Sequence, residues 1–89
     1  MSGQRHTGTP RTVTARVMTI LGAFSRERPV MGLQEVSTRT GLAVSTTHRL
    51  LNELVEWGAL ARCENYHYRI GPLVRRLATA TPDDRRETA

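Results

Sequence analysis

Residues 33–60 read LQEVSTRTGLAVSTTHRLLNELVEWGAL, two short helical patterns meeting at Thr40-Gly41-Leu42. Taken at about 100° per residue from Val44, the second pattern gathers Thr47, Leu50, Leu51 and Leu54 on one side. Ser45, His48, Arg49 and Asn52 gather on the opposite side, within roughly a 100° arc. One face is therefore core. The other offers hydroxyls, an imidazole, a guanidinium and a carboxamide, groups that bond phosphates and base edges. Glu53 and Glu56 lie at its edge or one turn further on.

The first pattern runs from Leu33 to Thr40, with Leu33 and Val36 inward and Gln34, Glu35, Thr38 and Arg39 outward. Gly41 suits a left-handed cap, where a side chain is penalised, and Leu42 folds back on the pair. Ser37 falls where the helices approach, which requires a small residue; alanine is expected to fit better than serine. Two helices joined in this way make a helix-turn-helix.

After the second helical pattern, Trp57-Gly58-Ala59-Leu60 closes the apolar run, with Gly58 as a second C-terminal cap. The period then changes to two. Tyr66, Tyr68 and Ile70 alternate with His67 and Arg69, placing aromatics on one strand face and cations on the other. Leu60 to Arg62 supplies the partner strand, and Cys63-Glu64-Asn65 the hairpin turn, with Asn65 tolerant of a left-handed conformation. A helix pair followed by such a hairpin is a winged helix-turn-helix. The expected class is mainly α with a small β-hairpin: a three-helix core, a wing, then a C-terminal linker-like helix.

Upstream, Thr9-Pro10 offers a capping hydroxyl and a proline at the first helical position. Val13, Val17, Ile20, Leu21 and Phe24 recur at helical spacing, predicting an amphipathic helix over 10–26. Gly22 inside it costs roughly 1 kcal/mol relative to alanine, which close packing would justify. Ser25 to Pro29 ends the helix. Downstream, Gly71-Pro72 restarts a helix over 72–80, with Leu73, Val74, Leu77 and Ala78 on one side and Arg75 and Arg76 on the other, and Thr81-Pro82 breaks it. The organisation expected is a flexible arm over 1–9, the folded domain over 10–80 and a disordered tail over 81–89. Arg5, His6 and Arg11 would suit a minor-groove arm.

From Arg16 to about Ala80 the chain resembles the N-terminal DNA-binding domain of IclR-type transcriptional regulators. The strings that carry the resemblance are Arg16-Val17-Met18-Thr19-Ile20-Leu21, Gly41-Leu42, Ser45-Thr46-Thr47-His48-Arg49-Leu50-Leu51 and Tyr68-Arg69-Ile70-Gly71-Pro72. It implies a winged helix and operator binding. The chain departs from the family pattern at Ala43-Val44, where Pro-Lys is usual, so a phosphate-directed cation is missing. Thr47 stands where valine is usual, its hydroxyl placed to bond the Ala43 carbonyl, and Cys63 to Asn65 lacks the common glycine and aspartate. Family members usually continue into a larger effector-binding domain, so the chain reads either as a standalone protein or as one domain of a longer regulator.

Composition agrees with one small nucleic-acid-binding domain. The chain has 89 residues, a net charge of +5 and a pI near 11.0, the electrostatic footprint of a polyanion binder. All 13 basic residues are arginine, which suits phosphate and guanine but reads first as codon bias in a GC-rich genome. A single cysteine forms no internal disulfide. No apolar run reaches the length of a membrane span or a signal-peptide core, so a cytoplasmic location is expected.

Cys63 and His67 form the one close thiol-imidazole pair, short of the four ligands of structural zinc. No phosphate loop or nucleophile triad is present, so neither metal, cofactor nor enzymatic activity is expected. The partner expected is double-stranded DNA. Ser45, His48, Arg49 and Asn52 would enter the major groove, Arg49 toward guanine or phosphate and Asn52 toward adenine. Thr46, Gln34 and Arg39 would lie near backbone oxygens, and Arg62, His67 and Arg69 would place the wing. A homodimer through helix 10–26, helix 72–80 or both would supply two half-sites, and no small-molecule effector site is expected within the chain. The alternative is a winged helix that serves as a protein-protein interaction module without specific DNA readout.

Overall fold

The computed structural model describes residues 11–82. Its elements are α1 (Val13–Ala23), β1 (Met31–Gly32), α2 (Leu33–Thr40), α3 (Val44–Glu56), β2 (Leu60–Arg62), a 3-10 turn (Glu64–Tyr66), β3 (His67–Ile70) and α4 (Pro72–Thr79). The strands form an antiparallel sheet in the order β1-β3-β2. This is a winged helix with three core helices and a sheet of three strands instead of the two expected. Met31 pairs with Tyr68, and Gly32 with His67. A two-residue strand leaves too short a period to be read from sequence.

α1 begins later than expected. The Thr12 hydroxyl caps it by accepting from the Ala15 amide at 3.0 Å, and it ends at Ala23, so its 11 residues make about three turns. Thr9, Pro10, Arg5 and His6 lie outside the described residues, as does the tail beyond Pro82. Val13, the first residue of the apolar spacing, is exposed, because the core begins at Val17 and Ile20. Gly22 has no atom within 4 Å of where a Cβ would stand, so close packing does not account for it.

The core joins Ile20 of α1, Met31, Val36 of α2, Leu42, Leu50, Leu51 and Leu54 of α3, and Ala59, Leu60 and Tyr68 of the wing. Trp57 does not close the apolar run: it is 77% exposed. The chain reverses at Gly58, and Ala59 and Leu60 complete the core in its place.

The α2–α3 turn is held by several side-chain bonds to its backbone. Gly41 caps α2 at φ 77°, the left-handed conformation its sequence position predicts. Ser37 is buried and its hydroxyl donates to the Leu42 carbonyl at 2.7 Å. The expectation that alanine would fit better is therefore overturned, since alanine would leave that carbonyl without its side-chain partner. The Thr40 hydroxyl donates to Val36 O at 2.8 Å and accepts from the Leu42 amide at 3.3 Å. Inside α3, the buried Thr47 hydroxyl donates to the Ala43 carbonyl at 2.8 Å.

At the root of the wing the chain passes very close to itself. A Cβ on Gly71 would stand 2.4 Å from the Gly58 carbonyl oxygen and 2.7 Å from that of Leu60, so only glycine fits. The Gly71 amide donates to Ala59 O and that of Leu73 to Gly58 O, each at 2.9 Å, which fixes the start of α4. Along α4, Leu73 and Val74 pack against the core, whereas Leu77 and Ala78 of the expected apolar side are exposed.

Candidate nucleic-acid interface

α3 presents its polar face to solvent because its opposite face, Thr47, Leu50, Leu51 and Leu54, is buried. Ser45, His48 and Arg49 are exposed, and Thr46 and Asn52 are half-buried. Among the described residues no hydrogen bond or ion pair engages Arg49. Its five N–H donors are available to an external acceptor.

Asn52 stands in a different environment. Its Oδ1 accepts from Nη2 of Arg62 at 2.6 Å, and its Nδ2 lies 3.4 Å from Nε2 of His48, one turn earlier. The guanidinium of Arg62 rests 5.8 Å from the centroid of the buried Tyr68 ring, within cation–π range. A side-chain chain thus runs from α3 to the wing: His48, Asn52, Arg62, Tyr68.

The wing cations fall on two faces. Arg62 pairs with Tyr68 across the sheet, and paired residues share a face, so Arg62 stands on the side of α3. His67 and Arg69 stand on the other. His67 lies over Gly32, its Nε2 3.6 Å from where a Cβ there would be, and its Nδ1 is 2.8 Å from the Asn65 carbonyl oxygen. Arg69 lines an open groove of about 270 Å³ with Phe24, Ser25, Pro29, Ile70 and Arg75. Tyr66 is not a strand residue as expected. It belongs to the turn, with φ 59° beside Asn65 at 61°, and is 85% exposed. The Cys63 amide closes this turn on the His67 carbonyl at 2.8 Å.

On α2, Gln34 and Arg39 are exposed. Arg39 Nε is 3.4 Å from Glu35 Oε2 in an i, i+4 pair, and Arg28 bonds the same carboxylate oxygen. The hydrogen bond from Arg28, helped by Arg39, holds the Glu35 carboxyl below its ordinary pKa against the opposing effect of desolvation. Arg39 is therefore half-engaged within the protein, a pairing the i, i+4 spacing of Glu35 and Arg39 made readable. The Arg28 and Arg62 contacts join residues outside a single helix, so no helical spacing signals them. Among the described residues no cluster of three or more His, Cys, Asp or Glu is arranged to hold a metal, and no helix is long and apolar enough to cross a membrane.

The family model for the IclR helix-turn-helix domain matches residues 13–63. No curated protein matches the chain, but solved structures do. An IclR homolog from Microbacterium sp. strain HM58-2 is 30% identical with a TM-score of 0.73, covering 78% of this chain and 29% of its own. A putative IclR transcriptional regulator from Silicibacter sp. TM1040 is 33% identical at 0.72, covering 78% and 27%. An IclR homolog from Microbacterium hydrocarbonoxydans, solved with 4-hydroxybenzoate, is 29% identical at 0.77, covering 84% and 31%. The chain thus spans less than a third of the length of each of these relatives. The family model spans more than half of the chain, and by that match the chain belongs to the IclR family of transcriptional regulators.

Proposed function

We propose that this domain binds double-stranded DNA sequence-specifically, with α3 in the major groove, and regulates transcription by occupying an operator as a repressor. The observation that carries the reading is the outward face of α3, where Ser45, His48 and the unengaged Arg49 stand clear of the buried inner face of Thr47, Leu50, Leu51 and Leu54. Arg49 takes guanine or a phosphate, and Asn52 takes adenine. Thr46, Gln34 and Arg39 flank the helix toward backbone oxygens, and on the outer face of the wing Arg69 supplies positive charge beside the His67 imidazole. The domain is a regulator and not an enzyme, and it acts in the cytoplasm, where its DNA is.

A single half-site offers too little contact for tight operator binding, so the domain works as a homodimer. Val13 and Met18 on α1 and Leu77 on α4 are each more than half exposed, which gives these two helices apolar surface for pairing.

Replacing Arg49 by alanine tests the groove assignment. It should cost roughly 1–3 kcal/mol against the preferred duplex without altering the melting of the free protein. An Arg49→Ala protein that binds as tightly as the parent would refute it.

A further inference from the structure

The contact between Asn52 and Arg62 assigns Arg62 a role other than touching the DNA backbone. A guanidinium carries five donors and no acceptor. The Asn52 atom facing it must therefore be the oxygen, and this chemistry, more than the position of the atoms, fixes which way the amide points. Nδ2 then faces Nε2 of His48, to which it can donate. Each end of the amide has one neighbour and one remaining valence: a lone pair on Oδ1 and an N–H on Nδ2. That pattern is complementary to the N6–H donor and N7 acceptor of adenine. Arg62 is itself steadied by the ring of Tyr68, a residue 4% exposed and paired to both neighbouring strands.

We infer that Arg62 is a positioning residue for base readout: reaching from β2, it holds the Asn52 amide with its oxygen toward the wing, so that α3 discriminates adenine at one position of the site. The inference rests on the proposed DNA-binding function. It separates two roles a wing arginine can have, because a phosphate contact adds affinity uniformly across sequences whereas a positioning contact adds it only at the base its partner reads.

The test uses the preferred duplex of the parent protein and its single base-pair variants, titrated with the parent, Asn52→Ala, Arg62→Ala and Arg62→Met. The methionine keeps an aliphatic stem on Tyr68 while removing the donors, and melting curves check that each protein is folded. The parent should prefer adenine by about tenfold or more at one position. Asn52→Ala should remove that preference, and both Arg62 variants should reduce it severalfold at the same position, leaving other positions and the salt slope unchanged. Uniform weakening over all duplexes by the Arg62 variants, with the salt slope lowered by about one and the adenine preference intact, would overturn the inference. So would an Asn52→Ala protein with every preference preserved. A parent that prefers no base anywhere would instead contradict the DNA-binding reading, and the positioning role would fall with it.

Discussion

The α2–α3 turn and the tip of the wing both reverse the chain through left-handed backbone, and they are held in opposite ways. At the first, glycine occupies the left-handed position, at φ 77°, and two buried hydroxyls, Ser37 and Thr40, bond the backbone around Leu42. At the second, Asn65 and Tyr66 take φ 61° and 59° without a glycine, and the loop is closed in solvent by backbone bonds from Cys63 to the His67 carbonyl and from His67 to the Glu64 carbonyl, with the His67 ring against the Asn65 carbonyl. A buried reversal must satisfy every polar group it encloses, so few residues will serve. An exposed reversal has water as an alternative partner and admits even an unfavourable residue such as tyrosine. The root of the wing, by contrast, is as constrained as the α2–α3 turn, because Gly71 approaches two carbonyl oxygens.

That contrast can be broken by substitution. The largest effect is expected at the wing root: Gly71→Ala drives a methyl into the carbonyls of Gly58 and Leu60 and should destabilise the domain by about 3 kcal/mol. On a fold of this size that removes most of the stability, and chemical denaturation would read it. A variant that unfolds at the parent's midpoint would mean that the close approach is not present in solution.

Next comes the α2–α3 turn. Ser37→Ala leaves the Leu42 carbonyl without its side-chain donor and should cost about 1–2 kcal/mol by the same measurement. A stabilised Ser37→Ala protein would restore the reading in which only small size matters at that position.

The smallest effect, of opposite sign, is expected at the wing tip. Tyr66→Gly removes the left-handed penalty at an exposed site and should stabilise by up to about 1 kcal/mol, part of the gain being lost to the greater freedom of glycine in the unfolded chain. Destabilisation there would show that the Tyr66 side chain makes contacts that hold the wing.

The same difference explains what could be read before the fold was known. The buried face of α3, the caps at Gly41 and Gly58 and the Thr47 bond to Ala43 follow from local spacing and from the demands of burial, and they stand where the sequence put them. α1 was placed too early because a threonine before a proline resembles a cap, whereas Thr12 is the residue that bonds the first turn. Tyr66 was misplaced because the alternation of Tyr66, Tyr68 and Ile70 continues past the point where the strand ends. The third strand, the Arg28–Glu35 pair and the Arg62–Asn52 bond are long-range contacts, and a period within one element carries no information about them. The polar face of α3 was legible as a face. The linkage of its asparagine to the wing was not.

The outward face of α3 is the surface proposed to read DNA. The most direct measurement is selection of bound sequences from a random duplex library at moderate salt, followed by titration of the selected duplex against a scrambled one over a series of salt concentrations. A homodimer that reads an operator should select a palindromic sequence, preferred by about 10³-fold or more, with affinity falling steeply as salt rises. Salt-sensitive binding with no preferred sequence would contradict it and leave a basic surface suited to a protein partner.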